Sequence, residues 1–191
     1  MRRIVVTEFM TLDGVMEDPG GAEGFERGGW AFQFDRGPEG DKFKLDEVME
    51  ADASLLGRVT YQGFAQAWPS RTGEFADKMN GMLKYVVSTT LNKEDLTWQN
   101  STVIKGDVAG EVSKLKQGPG GDILVAGSAQ LVQTLLEHDL VDELRLMVYP
   151  IVLGTGKRLF AGGGKKLALR LVEAKPVGDG VLILVYRPAG K

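Results

Sequence analysis

Short apolar blocks recur along the chain, each closed by glycine or polar residues, and the first two thirds alternate them with segments of helical spacing. Ile4, Val5 and Val6 centre a predicted strand over 2–10, which Leu12-Asp13-Gly14 ends with turn chemistry. Residues 19–37 follow no period; they are rich in glycine yet hold Phe25, Trp30, Phe32 and Phe34, as expected of a functional loop or lid. A helix is predicted from Pro38 to Glu50, with Phe43, Leu45 and Val48 on one face and the proline in its first turn. "ASLLG" (53–57) reads as a buried strand that runs directly into a helix over 59–65. A helix over 73–83, a strand over 84–89, a strand over 101–106 and a helix over 107–116 follow. After the breakers of 117–122 come a strand over 123–127 and a helix over 128–140, with Leu131, Val132, Leu135 and Leu136 on one face and Ser128 as its N-cap.

The last third changes character. Leu144, Leu146 and Val148 alternate with Arg145, Met147 and Tyr149, the period of a half-buried strand. Residues 167–187 read as two strands joined by a turn at Gly178-Asp179-Gly180. Strands alternating with helices and then a hairpin predict an α/β fold, with a mostly parallel central sheet and antiparallel C-terminal edge strands. No repeat or linker interrupts the chain, so 1–191 is expected to form a single domain.

Composition narrows the function. The 191 residues carry a net charge of -3, so no overall field favours nucleic acid or an anionic membrane, and neither is expected as a partner. No cysteine is present, which excludes disulfides, thiolate metal sites and a cysteine nucleophile; no metal site is expected. The apolar run at Ile4–Val6 is too short for a secretory signal, and no stretch reaches the roughly 18 apolar residues of a membrane span. The expected location is the cytoplasm.

Common site motifs fail. "GTGKRL" (154–159) lacks the third glycine of a dinucleotide fingerprint, and Ile151 and Leu159 stand where a P-loop needs glycine. The single histidine, His138, falls near a predicted helix end, where an imidazole complements the helix dipole. Three strand tips are more informative. Gly57-Arg58-Val59-Thr60, Ser88-Thr89-Thr90 and Gly127-Ser128-Ala129-Gln130 each follow a predicted strand, and the first and third open helices. In open α/β sheets ligands bind beyond the carboxyl ends of the strands, and helix N-termini there offer free N–H groups to phosphate. Glycine admits close backbone approach, and the Arg58 guanidinium can fork onto an anion. The three tips together predict a cleft for a ligand with several phosphates.

"LLGRVTYQGF" (55–64), "VVST" (86–89), "TLDG" (11–14) and above all the stretch from Ile123 to Phe160 resemble the dihydrofolate reductase-like family. The similarity is to its branch containing the reductase domain of riboflavin biosynthesis, the RibD C-terminal domain. The resemblance implies a three-layer dihydrofolate reductase-like fold and an NADPH-dependent reductase. It implies that Gly57, Arg58 and Thr60 meet the cofactor's phosphates, and that Ser88 and Thr89 lie near the adenosine 2′-phosphate. Gly127, Ser128, Ala129, Gln130 and Leu131 would cradle the pyrophosphate and approach the nicotinamide. It further implies a homodimer, with the edge near 141–160 as the contact. "FAQAWPSRTGEF" (64–75) stands where riboflavin reductases carry an arginine, Asp-Pro and threonine, so the small-molecule substrate stays open.

Asp13 is the candidate acid, because a partly buried carboxyl can hold a raised pKa and protonate the substrate. Its competing reading is a turn-stabilising residue. Glu39, Asp41, Asp46 and Glu47 are alternatives, most of them expected on a solvated face. Trp30 and Phe32 are candidate substrate contacts if the aromatic loop closes over the site; dimer contact or packing is the rival reading. Pro150 to Gly156 either walls the nicotinamide end or only turns between strands. A non-catalytic nucleotide-binding protein on the same scaffold is the alternative function.

Overall fold

Eight strands form one continuous sheet in the order β4-β3-β2-β5-β1-β6-β8-β7. They are β1 (Ile4–Thr11), β2 (Ala51–Gly57), β3 (Leu83–Val87), β4 (Ser101–Ile104), β5 (Asp122–Val125), β6 (Glu143–Tyr149), β7 (Leu169–Val177) and β8 (Val181–Pro188). The helices are α1 (Gly37–Glu50), α2 (Arg58–Ala67), α3 (Glu74–Gly81), α4 (Val108–Gln117) and α5 (Ala129–Glu137). This computed structural model describes residues 1–160, 162 and 164–190. The strands from β4 to β6 are parallel to their neighbours, and β8 runs antiparallel between β6 and β7. The mixed α/β fold expected from the patterning is therefore present, antiparallel edge included.

Alternation along the central strands divides the core in two layers. Ile4, Val6, Leu55, Ile123 and Val125 pack with Val112 of α4 and Val132 and Leu135 of α5. Val5, Leu56, Val86 and Leu124 pack on the opposite face with Val48 of α1, Tyr61 of α2 and Met79 of α3. A third cluster lies over β6 and β8, where Trp30, Tyr149, Ile183 and Val185 meet Phe9 and Phe43. The helices on both faces bury continuous apolar runs, which is why the inner strands lack polar alternation.

One helix end and the place of one strand in the sheet differ most from the sequence reading. α5 stops at Glu137 rather than running to 140, because Asp139 takes a left-handed φ of 55° and the Leu140 N–H returns to Leu135 O at 2.9 Å. His138 sits exposed at that helix end, in the capping position expected of it. β6 is not an edge: β1 pairs it on one side and β8 on the other. The outer strands among the described residues are β4 and β7.

One buried cation ties the β3 side together. Lys84 has no exposed surface, and its ammonium donates to Asn80 O (2.8 Å), Met82 O (2.8 Å) and Gln99 O (3.2 Å) while lying 4.2 Å from the Trp98 ring centre. Burial pulls its pKa down to about 8. It closes the C-terminus of α3 and the turn before β4, where carbonyls lack helical partners. Replacing Lys84 with Met strands those acceptors in a dry site. The expected loss is about 3 kcal/mol in urea unfolding, with the urea slope unchanged; a loss below about 0.5 kcal/mol would show that the carbonyls find other donors.

Candidate active site

The parallel register carries the ends of β3, β2, β5 and β1 to one rim in that spatial order. Ser88-Thr89, Gly57-Arg58, Gly127-Ser128 and Leu12-Asp13 are thus consecutive tips of neighbouring strands. The middle two are in contact. Gly57 N–H donates to Gly127 O at 3.2 Å. A Cβ at Gly57 would overlap Ser128 Oγ and lie 3.0 Å from Ser128 N, and one at Gly127 would lie 2.8 Å from Thr60 Oγ1. Gly127 also holds φ 91°, a region that disfavours side chains, and the Gly127–Ser128 peptide is cis. Both glycines therefore let the tip of β5 lie against the start of α2.

Two helix N-termini open at this rim. No side chain caps α2, so its first N–H groups keep their hydrogen-bonding capacity beside the exposed Arg58, whose guanidinium touches only Gln62 Oε1 (3.2 Å) among the described hydrogen bonds. α5 is capped by Ser128, whose Oγ accepts from Leu131 N at 3.5 Å. Ala129 is half-buried and Gln130 exposed. An anion spanning the two starts would meet N–H groups, a guanidinium and the Thr60 and Ser128 hydroxyls, a donor set suited to a dinucleotide's phosphates.

Not every expected residue faces that space. The Leu131 side chain is buried in the core. Ser88 is also buried, and its Oγ accepts from Thr90 N (3.1 Å) and Leu91 N (3.0 Å), so it closes its own turn and leaves Thr89 as the exposed hydroxyl. Trp30 is 0% exposed: its Nε1 donates to Glu17 O (2.9 Å), and its ring meets Tyr149 edge-on at 5.4 Å. It is a core residue and offers a substrate no surface; packing wins over a lid at this position. Phe32, at 80% exposure, is the open member of the pair. The loop between them is built around buried Asp18, whose carboxylate accepts from Glu23 N (3.0 Å) and Phe25 N (3.1 Å).

The expectation for Asp13 is corrected. Its carboxyl accepts from Thr11 Oγ1 (2.6 Å), Gly154 N (2.8 Å) and Leu153 N (3.2 Å), and Arg158 lies 3.4 Å away. The Thr11 hydroxyl above all, with the Gly154 and Leu153 amides, overrides desolvation and holds its pKa down at about 2. Asp13 is a carboxylate clasp that pins the 150–160 segment to the end of β1, not a proton donor. Pro150 to Gly156 is accordingly a connection held against residues 11–17, with Met16 N–H donating to Lys157 O and Leu159 N–H to Gly14 O.

Sequence reasoning passed over Glu8. It lies on the face of β1 that carries Ile4 and Val6, retains 8% exposure, and its Oε1 is buried without a hydrogen-bond partner. The Gly127 N–H faces the same carboxyl. Burial pushes its pKa up to about 8 against the opposing effects of Lys44 and that amide. A signal was present: a glutamate in phase with Ile4 and Val6 breaks an apolar strand face. On the other face, Thr7 Oγ1 donates to Glu47 Oε1 (2.7 Å) and Lys44 Nζ to Thr7 Oγ1 (2.7 Å), with Lys44 ion-paired to Glu47. Glu47 is thus buried, not part of a solvated face.

The fold and the rim define a class: an α/β protein with polar strand tips and two helix N-termini gathered at the carboxyl ends of its parallel strands. The chain belongs to the RibD C-terminal domain family, whose model matches residues 2–183. It is 32% identical over 190 residues to the uncharacterized protein YyaP of Bacillus subtilis (strain 168), covering 97% of this chain and 94% of that one. Its fold is similar to that of a putative riboflavin biosynthesis protein from Shewanella sp. PV-4 (TM-score 0.77, 20% identity, 98% and 99% of the two chains). It is also similar to that of a pyrimidine reductase-like protein from Corynebacterium diphtheriae (TM-score 0.70, 12% identity, 100% and 93%). Family membership supports a reductase-type function.

The Asp13 clasp has a pH signature. Its pKa is depressed below the ordinary 3.8, so the ionised form stabilises the fold. That contribution is complete above about pH 4 and is lost as pH falls through about 2. Asp13→Asn is expected to cost roughly 1–2 kcal/mol at neutral pH, with the gap to wild type closing between pH 4 and 2 in urea unfolding series. A gap that stays constant to pH 2 would remove the carboxylate charge as the cause.

Proposed function

We propose that this protein is an NADPH-dependent reductase acting on the C=N or C=O bond of a small heterocyclic or carbonyl substrate. It would work in the cytoplasm on a substrate akin to those of pyrimidine or dihydrofolate reductases. The observation that carries the reading is the contact of the β2 and β5 tips, which sets the uncapped start of α2, Arg58 and the start of α5 around one rim. Gly57, Arg58, Thr60, Gly127, Ser128, Ala129 and Gln130 would hold the dinucleotide, with Thr89 toward its adenosine end. When bound, the reduced nicotinamide supplies a hydride; the protein orients the acceptor, excludes water and provides a proton.

A second reading, a non-catalytic nucleotide-binding protein, is favoured by the engagement of Asp13 as a structural carboxylate. Fluorescence titration with NADPH and NADH tests both. Tight NADPH binding is the expected outcome, and no binding at millimolar cofactor would end both. NADPH oxidation with dihydrofolate, a pyrimidine ribosylamine or a carbonyl panel then favours the reductase over the second reading. Arg58→Ala should weaken NADPH about tenfold or more while leaving NADH nearly unchanged, because a charge-assisted contact to the 2′-phosphate is lost. Equal losses for the two cofactors would put Arg58 on the pyrophosphate instead.

A homodimer is part of the proposal. Its support is the outer strand β7, nine residues long, with Leu171 and Val172 50% and 43% exposed on an unpaired edge. Light scattering is expected to give the mass of two chains, and Leu171→Lys to shift it toward one. A monomeric wild type would remove this part alone.

A further inference from the structure

Reducing a C=O or C=N bond needs a proton at the heteroatom as well as a hydride at carbon. Asp13 cannot give one at neutral pH: it is ionised and fully engaged by Thr11, Leu153 and Gly154. Glu8 differs in each respect. β1 and β5 pair in register at Val6 and Val125. Two residues further on lie Glu8, still within β1, and Gly127, just past the end of β5, whose backbone amide hydrogen-bonds the Glu8 carboxyl. The carboxyl therefore sits directly against the strand tip that contacts Gly57 and Thr60.

Buried polar atoms are nearly always hydrogen-bonded, and an exception calls for a reason. Glu8 Oε1 is such an exception, in a residue more than nine-tenths buried. The groups that act on it are the Gly127 amide just past β5, Glu23 from the loop around Asp18, and, from the other face of the sheet, Lys44 and Glu47 of α1. Lys44 and the amide favour the carboxylate; burial, Glu47 and Glu23 oppose it and prevail, so at neutral pH the group is the acid, an O–H donor awaiting an acceptor.

Resting on the reductase reading, we infer that Glu8 is the proton donor of this site and that the substrate heteroatom is the missing partner of its unpaired oxygen. When bound, the reduced nicotinamide would supply the hydride whose electron pair forms the new C–H bond at the substrate carbon. The substrate π pair moves onto oxygen or nitrogen, and the Glu8 O–H bond breaks as the new O–H or N–H bond forms. The cofactor would leave as NADP⁺ with the substrate bond reduced, and the Glu8 carboxylate would stay beside the Gly127 amide, with Lys44 across the sheet, until it takes a proton from water.

The test uses the full chain and Glu8→Gln, which keeps shape but carries no acid. Carbon-13 NMR of the glutamate carboxyls is expected to show one group titrating near pH 8 in wild type and absent in the variant, with or without cofactor. NADPH affinity should match wild type. Single-turnover hydride transfer to the best substrate of the panel should fall about 100-fold or more. The wild-type rate should decline above about pH 8 and the variant rate lose that inflection. Glu8→Asp, which retains an acid, should recover part of the rate. A variant that binds NADPH and turns over like wild type, or a wild type with no carboxyl titrating above pH 6, overturns the proton-donor assignment and leaves the reductase reading intact. A wild type that does not bind NADPH, or binds it and reduces no member of the panel, overturns the assignment together with that reading.

Discussion

The contact between the tips of β2 and β5 organises the carboxyl-end rim of the parallel strands. Gly57 donates to Gly127 O, and the space that a side chain at Gly57 would occupy is taken by Ser128. The reverse holds at Gly127, where Thr60 fills the gap. Because α2 and α5 each start within a residue of that contact, it also sets the spacing and direction of two helix N-termini. A cleft built on backbone amides and dipoles can be no more precise than the strands that carry it. Here the carrier is the centre of an eight-stranded sheet covered on both faces.

The same rim separates two carboxyl groups by environment. Asp13 lies where β1 has ended, among backbone amides and hydroxyls, and those donors keep it ionised. Glu8 lies five residues earlier, still within the strand and turned into the apolar layer, where burial outweighs Lys44 and the Gly127 amide. One carboxyl secures the connection after β6 to β1, and the other is held toward its neutral form beside Gly127 at the tip of β5. Titratable groups pushed in opposite directions by their surroundings are a recurring property of catalytic sites.

The aromatic loop shows how composition can mislead about role. Glycines and rings between residues 19 and 37 suggested a closing lid, yet the segment is built inward. Asp18 gathers its amides, Trp30 reaches Glu17 and Tyr149, and Arg27 donates to Leu153 O. The rings complete the third core cluster over β6 and β8, where α1 is the one α-helix of the described residues that contributes, through Phe43. Phe32 alone among the candidate substrate contacts remains outside, at the surface.

Periodicity and turn chemistry were enough to place every strand and α-helix of the described residues within a few residues, because each depends on a local match between side-chain spacing and a buried face, while the short 3-10 helices at Trp30–Gln33 and Lys93–Asp95 carried no such signal. The three polar tips and Arg58 were legible for the same reason: a glycine and a hydroxyl following an apolar run mark the strand's end wherever the strand lies. The sequence could not say which tips adjoin, since strand order is decided by long-range pairing; nor that β6 is interior and β7 outermost. It could not show that Ser88 turns inward, because a hydroxyl at a tip reads the same whether it faces ligand or closes its own turn. The opposite fates of Asp13 and Glu8 were likewise settled in three dimensions. A carboxyl's proton affinity is set by the amides, cations and apolar groups that tertiary packing brings within a few ångströms, many of them more than a hundred residues away in sequence.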